Sequence, residues 1–303
     1  MDTIVLDQVT KTFGTCRAVD DLSLTVPRGS MYGFIGPNGS GKTTTLRMIM
    51  NILYPDRGEI QVFGERLQGA CVDRIGYMPE ERGLYKRMKL RELLCFYGLL
   101  KKGQSVRSEV DLWLERFHLA DWANKKLETL SKGMSQKVQF IATVVANPDI
   151  VILDEPFSGL DPVNAEALRE AVLDLQKQGT TVIFSTHDMA MAERMCDFIF
   201  MIHRGKKVLD GTLASIQNQY RQDTVRVCTD QGMAVLTDLP GVDRVNDFGQ
   251  VQELRVSHDC DAQAVLTLLL SRAKVLSFEM VKPSLHDIFI RIAGDEATGE
   301  TDA

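Results

Sequence analysis

The sequence predicts an α/β protein with a mostly parallel core sheet, followed by a small α+β domain. Between residues 31 and 184, short apolar runs alternate with segments of helical periodicity. This alternation is typical of parallel strands covered by helices on both faces. Beyond residues 213–220 the pattern changes to short strands around one helix. We therefore expect a first domain over 1–218, a second over 219–292, and a disordered acidic tail over 293–303.

The elements of the first domain follow from local periodicity. Alternating apolar and polar residues on both sides of Gly14 predict an antiparallel β subdomain. The apolar run Met31–Ile35 predicts a buried strand, followed by a glycine loop. Helical spacing further along indicates a helical subdomain over about 86–135. Helices are also predicted over 43–53 and 165–178, and apolar strands over 150–153 and 181–184.

The second domain is predicted from four short strands and one helix. The strands are expected over 224–228, 242–246, 254–257 and 275–280, and the helix over 262–271. This order of elements fits a ferredoxin-like arrangement.

Composition narrows the class of protein. Of the 303 residues, 44% are hydrophobic and 25% are charged, which is ordinary for a soluble globular chain. The net charge of −6 argues against a broad nucleic-acid surface, because phosphate binding needs a basic face. We expect no signal peptide and no stretch near the roughly 18 to 20 apolar residues that span a bilayer, so any membrane crossing would fall to another chain. The six scattered cysteines lack metal-site spacing and are expected to be reduced in a cytosolic protein.

A phosphate-binding loop is the most specific motif in the sequence. The segment GPNGSGKT, residues 36–43, matches G-x-x-x-x-G-K-[ST] and stands between a predicted strand and a predicted helix. Its glycines let backbone N–H groups surround a phosphate, Lys42 adds charge at the β- and γ-phosphates, and Thr43 offers a hydroxyl to Mg²⁺. The predicted nucleotide-binding residues of this loop are Gly36, Pro37, Asn38, Gly39, Ser40, Gly41, Lys42, Thr43 and Thr44.

Two adjacent acids end a second apolar strand in the segment ILDEP. Asp154 at the strand end suits a contact to Mg²⁺. Glu155, one residue beyond, can polarise a water for in-line attack on the γ-phosphate. An acidic loop after a strand would be the plain alternative if the phosphate loop were absent.

Three further segments resemble a known family. LSKGM begins at Leu130, SGLD covers Ser158 to Asp161, and STHD contains His187. With GPNGSGKTT and ILDEP, their order and spacing resemble the ATPase subunits of ABC transporters across residues 1 to about 218. This resemblance implies a P-loop NTPase fold of ABC type, and ATP and Mg²⁺ as cofactors. It also implies two subunits that face head to tail and close two ATP molecules between the P-loop of one and the LSKGM segment of the other.

The resemblance assigns roles to individual residues. Phe13 matches the aromatic that stacks on adenine, with core packing as the alternative. In LSKGM, which we call the signature segment, Ser131 and Gly133 match residues that contact the ATP of the opposite subunit. In SGLD, the D-loop, Ser158 and Asp161 match residues through which each site senses the other.

Among the remaining positions, one matches the family pattern and two depart from it. His187 matches the switch histidine that hydrogen-bonds the γ-phosphate and positions the attacking water. Lys132 and Met134 depart from the usual LSGGQ, and Lys132 either adds charge near the partner's ATP or points outward. Near residue 84, the family receives a coupling helix of the permease; Leu84 and Tyr85 serve that contact or pack internally.

The segment RIGYMPEERG, residues 74–83, contains two adjacent carboxylates after a strand. On composition alone a solvated loop is favoured over acid/base or metal chemistry. By the resemblance, Glu80 stands where most members have a glutamine that contacts Mg²⁺ and the attacking water, so Glu80 is a predicted metal ligand with Thr43 and Asp154. We expect its charge to make closure more strictly dependent on Mg²⁺. Glu81 is expected to face solvent or a partner subunit.

The segments PEERGLY and LSKGM, with the tail domain, resemble the ATPases of ABC-2-type exporters that carry a small C-terminal domain. The implied function is an ATP-hydrolysing subunit, paired with itself or a homologous subunit, that powers a separate integral-membrane permease, with export favoured. The implied location is the cytoplasmic face of the inner or plasma membrane. The transported substrate would be determined by the permease.

Two alternatives stay open on the sequence. One is a soluble ABC-type ATPase without a permease, acting on nucleic acid or ribosomes. It is disfavoured because about 90 residues between P-loop and signature leave no room for coiled coils, the chain has a single cassette, and it is acidic. No nucleic-acid partner is therefore expected. The other is a regulatory role of the C-terminal domain, which is compatible with transport.

Overall fold

The computed structural model describes residues 2–67, 69–81, 83–220, 224–257 and 261–299, with backbone alone for Ala70 and for 293–299. The chain divides into two compact units, Met1–Leu213 and Ala214–Ala303. The candidate residues named above all fall in the first unit. Within the described ranges, no helix is long and apolar enough to cross a bilayer.

The first unit alternates strands and helices after an antiparallel start. Its elements are β1 Asp2–Phe13, β2 Cys16–Pro27, β3 Met31–Ile35, α1 Lys42–Ile49, β4 Arg57–Val62, β5 Glu65–Arg66, α2 Gly69–Val72, β6 Ile75–Met78, α3 Leu90–Lys102, α4 Arg107–Arg116, α5 Lys132–Val144, β7 Ile150–Asp154, α6 Pro162–Lys177, β8 Thr181–Thr186, α7 Met189–Met195, β9 Phe198–His203, β10 Lys206–Gly211 and α8 Leu213–Gln219. Helix α8 begins at Leu213, the last residue of this unit, and its residues 214–219 belong to the second unit.

The core sheet of the first unit has the strand order β10-β9-β3-β8-β7-β6. The pairs from β9 to β6 are parallel, and only β10 pairs antiparallel with its neighbour. Every residue of β3, β7 and β8 is buried, as expected for strands covered on both faces. The predicted mostly parallel core sheet is confirmed. Because parallel strands point the same way, the loops after β3, β7 and β8 leave one edge of the sheet together.

A second, antiparallel sheet has the order β2-β1-β4-β5, which confirms the predicted antiparallel β subdomain. Its apolar side chains, including Ile4, Leu6 and Leu24, share one core with Phe34, Leu46 and Ile152 of the parallel sheet and its helix. A separate core joins α3, α4 and α5 to the other face of the parallel sheet. Helix α1, which follows the P-loop, packs into the first of these two cores.

The ends of three helices differ from those that periodicity predicts. Helix α1 ends at Ile49 rather than near residue 53, because Asn51 has a left-handed backbone with φ of 57°. The helical stretch after residue 90 is divided, since Gly103 adopts φ of 68° and ends α3. Asp161 caps α6, which therefore begins three residues before the predicted start.

The second unit continues with β11 Thr224–Thr229, β12 Val242–Asp247, β13 Gln252–Val256, α9 Ala262–Arg272, β14 Val275–Val281 and α10 Leu285–Gly299. The sheet order is β12-β13-β11-β14, all antiparallel. With a short 3₁₀ turn at Gly232–Val235 in place of a first helix, this follows the β-α-β-β-α-β pattern expected from the sequence. One face packs Val225, Leu254 and Leu269 into a small core.

The chain end differs from its prediction. Disorder was expected over 293–303, yet helix α10 continues to Gly299, and residues 300–303 lie outside the described residues. Extending an existing helix is inexpensive, because each added residue gains one hydrogen bond without a new nucleation step.

Candidate nucleotide site

The P-loop requires glycine at two positions for steric reasons. Gly36 and Gly41 have φ of 156° and 109°. A Cβ on Gly36 would lie 2.2 Å from the carbonyl oxygen of Ile202, and one on Gly41 would lie 2.4 Å from that of Ala18. Backbone therefore closes around the loop from two sides, and the glycines give a ligand access to the loop's N–H groups. The hydroxyl of Ser40 is buried there and has no partner among the described residues.

Lys42, the first residue of α1, is buried at the floor of this loop. Its Nζ donates to the carbonyl oxygens of Gly36 at 2.6 Å and Pro37 at 3.1 Å. It also lies 4.0 Å from Oε1 of Glu155. Burial lowers the pKa of Lys42, and the charges of Glu155, Asp154 and Glu80 oppose that shift. A buried ammonium group at a phosphate loop is suited to bind the anionic end of a nucleotide.

Asp154 ends β7 and is 1% exposed. The hydroxyl of Ser185, on neighbouring β8, donates a hydrogen bond to its Oδ1. Its Oδ2 is buried without a partner among the described residues. An unpaired buried carboxylate oxygen is costly, so this atom is well placed to accept from a cation or its water ligands.

Glu155 follows with a left-handed backbone, φ 50°, which is uncommon for a non-glycine residue. Its N–H is held by the carbonyl of Ser185 at 3.2 Å and its Oγ at 3.1 Å. His187 Nδ1 lies 3.1 Å from each carboxylate oxygen. The carboxylate therefore stands between a buried cation, Lys42, and an exposed imidazole, where it can orient a water molecule.

A cavity of about 130 Å³ joins these parts. Its lining includes Gly41, Lys42, Thr43, Glu80 and Glu155. The oxygen groups offered by Thr43, Glu80 and nearby Asp154 are hard donors of the kind that Mg²⁺ prefers. Among the described residues no group of three His, Cys, Asp or Glu side chains could hold a metal alone.

Comparison with known proteins agrees with this geometry. The ABC transporter family model matches residues 19–158, and that for the C-terminal domain of DrrA1-3-like ATP-binding proteins matches residues 211–293. The chain is 41% identical to the ABC transporter ATP-binding protein YhaQ of Bacillus subtilis, covering 96% of this chain and 98% of YhaQ. The chain belongs to the ABC transporter ATP-binding proteins. This ABC ATPase therefore hydrolyses ATP.

Two other similarities support the assignment. The Nod factor export ATP-binding protein I of Paraburkholderia xenovorans is 33% identical over 97% of both chains. A solved ATP-binding subunit of an ABC transporter is 32% identical, with a TM-score of 0.67, over 72% of this chain and 93% of that chain. The fold of the ABC ATPase is therefore that of the family, and the two sequence relatives cover 96% and 97% of the chain.

The signature segment and the D-loop of the ABC ATPase lie against each other. Ser131 caps α5, accepting from the N–H of Met134 at 3.2 Å. A Cβ on Gly133 would lie 3.0 Å from Nδ2 of Asn164, which donates to Asp161. Neither Ser131 nor Gly133 lines the P-loop cavity.

Asp161 and Lys132 are the charged residues at the contact between the signature segment and the D-loop. Asp161 caps α6, and hydrogen bonds from Asn164 hold the pKa of its carboxyl below the usual range. Lys132 is exposed, and a Cβ on Gly159 would lie 2.6 Å from its Nζ, so its side chain lies over the D-loop of its own chain. The N–H of Ser158 donates to the carbonyl of Glu155 at 3.2 Å, which connects the D-loop to the acid.

Phe13 lies at the end of β1 with 47% of its surface exposed. Its ring faces Lys11 Nζ at 5.6 Å and belongs to no core cluster of the described residues. An exposed ring agrees with a stacking role rather than core packing. Leu84 and Tyr85 were expected either to contact the permease or to pack internally. Leu84 packs on the core, whereas Tyr85 is exposed and its ring contacts Phe96 edge to face.

Two buried glutamines were missed by the sequence analysis. Gln139 Nε2 donates to the carbonyls of Pro79 at 2.8 Å and Glu81 at 3.3 Å, on both sides of Glu80. Gln136 Nε2 donates to the carbonyl of Pro156, next to Glu155. Helix α5, whose first turn carries the signature segment, therefore holds both loops that bear the site carboxylates. Two amides three residues apart lie on one face of a helix, and this spacing was the available signal.

We expect Gln139→Ala to lower ATP turnover about tenfold and to change ATP affinity less. The substitution leaves two carbonyls unsatisfied, a loss of about 1–3 kcal/mol that loosens the Glu80 loop. Steady-state phosphate release and equilibrium ATP binding measure the two effects. Thr143→Ala, which removes a hydroxyl from the same helix, is the matched control. Equal turnover in Gln139→Ala and wild type would exclude a role for this contact.

Proposed function

We propose that this ABC ATPase pairs with a second copy of itself, encloses two Mg-ATP, and powers a separate membrane permease in export. The observation that carries the proposal is the placement of Glu155 between buried Lys42 and His187 at the P-loop cavity. The export direction is supported by the name of the Nod factor export relative. The proposed location is the cytoplasmic face of the membrane that holds the permease.

The residues of the cavity account for hydrolysis. The P-loop N–H groups and Lys42 hold the β- and γ-phosphates. The Glu155 carboxylate accepts a hydrogen bond from the attacking water and orients it in line with the γ-phosphate, and His187 positions the same water and phosphate. Thr43, Asp154 and Glu80 would hold Mg²⁺, which neutralises phosphate charge when bound.

Pairing completes a site that one chain leaves open. Ser131 and Gly133 stand at the N-terminus of α5, outside the P-loop cavity. A helix N-terminus with backbone donors favours an anion, so in a head-to-tail pair this end would cover the triphosphate of the partner. Gln136 and Gln139 link the same helix to the loops of Glu155 and Glu80 in its own chain, so pairing would act on both carboxylates.

Light scattering after size exclusion tests the pairing. With ATP and Mg²⁺, the Glu155→Gln variant is expected to elute at twice the mass of one chain, because bound ATP is not consumed. The control is the double variant Glu155→Gln/Ser131→Arg, which keeps the P-loop but obstructs the signature segment and should remain monomeric. A Glu155→Gln chain that binds ATP yet stays monomeric would overturn the pairing.

Cell fractionation tests the permease. The full chain is expected in the membrane pellet of its native cells and in the supernatant of a host that lacks a partner permease. Crosslinking in the native membrane should yield an adduct with an integral-membrane protein. A chain that stays in the supernatant of its native cells would contradict transport and favour the soluble alternative.

Glu80→Gln should weaken the dependence of ATP binding on Mg²⁺. Without the ion, the Glu80 carboxylate repels the triphosphate, so its neutral replacement should bind ATP several-fold more tightly in EDTA. With saturating Mg²⁺ the two proteins should differ little. Glu81→Gln, which neutralises the exposed neighbour, is the matched control. Identical Mg²⁺ titrations for Glu80→Gln and wild type would refute the idea.

A further inference from the structure

The small C-terminal unit contains a cavity that the nucleotide chemistry does not use. Its volume is about 350 Å³, within the range of small-molecule sites. Arg244, Arg255 and Arg291 line it, together with the apolar side chains Phe248 and Ile290. The cavity lies against the sheet face opposite the Val225–Leu254 core, with α10 on its other side.

The strand register places two rows of side chains on this sheet face, and the two rows differ in net charge. One row across the sheet runs Asn246, Glu253, Arg226, Glu279, so an arginine stands between two acids. The Arg226 Nη2 atom lies 2.9 Å from Oε1 of Glu253. With one arginine and two glutamates, this row carries a net charge of −1.

The adjacent row runs Arg244, Arg255, Thr224, Val281 and contains no acid. Its two arginines are directly opposite each other on neighbouring antiparallel strands. Like charges in such a pair are destabilising. Helix α10 then brings a third arginine, Arg291, to the same cavity.

The acids at the cavity already have partners. Glu253 pairs with Arg226 in the neighbouring row. Asp287 accepts hydrogen bonds from the N–H and the hydroxyl of Ser284, in a capping box that begins α10. Three arginines against two acids leave the lining with a net charge of +1, in a chain whose net charge is −6; Arg255 and Arg291 also take part in further contacts.

We propose that this cavity binds an organic anion, a phosphate or carboxylate group carried on an apolar body. Guanidinium groups from two strands and a helix match the several oxygens of such a group. Phe248 and Ile290, 67% and 51% exposed, provide the apolar contact beside them. A bound anion would offset the like charges of Arg244 and Arg255, so binding should stabilise the domain. The inference does not depend on the proposed transport function.

Calorimetric titration with hexyl phosphate tests the site. The full chain is first saturated with ADP so that the P-loop is occupied. Wild type should bind one hexyl phosphate, and Arg244→Gln and Arg255→Gln should each weaken binding at least about tenfold. Lys274→Gln removes one positive charge from the same unit outside the cavity and should bind like wild type. Absence of binding to wild type, or equal weakening by all three variants, would overturn the proposal.

Two further titrations define the ligand. Inorganic phosphate should bind more weakly than hexyl phosphate, because it lacks the apolar body; equal affinities would refute the role of Phe248 and Ile290. Sedimentation with phosphatidylglycerol vesicles distinguishes a lipid headgroup from a soluble anion as the ligand. Co-sedimentation that Arg244→Gln abolishes supports a lipid headgroup, and no co-sedimentation beside tight hexyl phosphate binding supports a soluble anion.

The stability of the ligand-free chain gives an independent readout. Arg244→Gln should raise the Tm of the C-terminal unit by about 1–5 °C, because it removes the like-charge pair. High salt should reduce the difference by screening. An Arg244→Gln variant that melts below wild type at low salt would show that Arg244 stabilises the sheet, and would overturn the proposed repulsion.

Discussion

Replacing Glu155 by glutamine is expected to lower the rate of ATP hydrolysis about 100- to 10,000-fold, the usual range for loss of a general base or water-orienting carboxylate. Glutamine keeps the size of the side chain but loses the negative charge. The left-handed backbone of residue 155 and the bonds of its N–H to Ser185 are unchanged by the substitution. ATP affinity should therefore remain near that of wild type.

Phosphate release under saturating ATP measures the rate, and equilibrium titration measures the affinity. Glu166→Gln is the matched control, since Glu166 is an exposed acid that pairs with Arg169 on α6. It should hydrolyse ATP at the wild-type rate. A Glu155→Gln variant within about threefold of wild type would exclude the assigned role.

Lys42→Ala is expected to weaken ATP binding about 100-fold or more. The substitution removes a buried ammonium and leaves the carboxylates of Glu155, Asp154 and Glu80 facing the phosphates without it. Losing one partner of a buried charge pair costs about 3–5 kcal/mol, which corresponds to at least two decades in Kd.

Titration with a fluorescent ATP analogue measures this loss. Lys177→Ala removes an exposed ammonium at the end of α6 and should leave Kd unchanged. Circular dichroism should show both variants folded. An Lys42→Ala Kd within about threefold of wild type would contradict the assignment of Lys42 to the phosphates.

The core of the site could be predicted from sequence because its signals are local. A P-loop needs glycines at fixed offsets, a lysine at the helix start and a strand before them, all within about a dozen residues. The buried strands Met31–Ile35 and Ile150–Asp154 are recognisable as apolar runs. Asp154 ends the second strand, and Glu155 follows it directly. Periodicity likewise indicated the small C-terminal sheet. In the first unit, the ends of α1 and α3 depended on the left-handed backbone of Asn51 and of Gly103, which periodicity does not indicate.

Only the tertiary structure decided how distant segments hold the site. Ser185 and Asp154 are 31 residues apart and meet because β7 and β8 are parallel neighbours. Gln139 and Pro79 are 60 residues apart and meet because α5 packs beside β6.

Cross-strand register is equally invisible along the chain, and it alone sets Arg244 opposite Arg255. The sequence by itself thus determined the fold class and the nucleotide motifs, which local backbone geometry and periodicity encode. Packing between remote segments decided which side chains position Asp154, Glu155 and Glu80, and which arginines come together in the C-terminal unit.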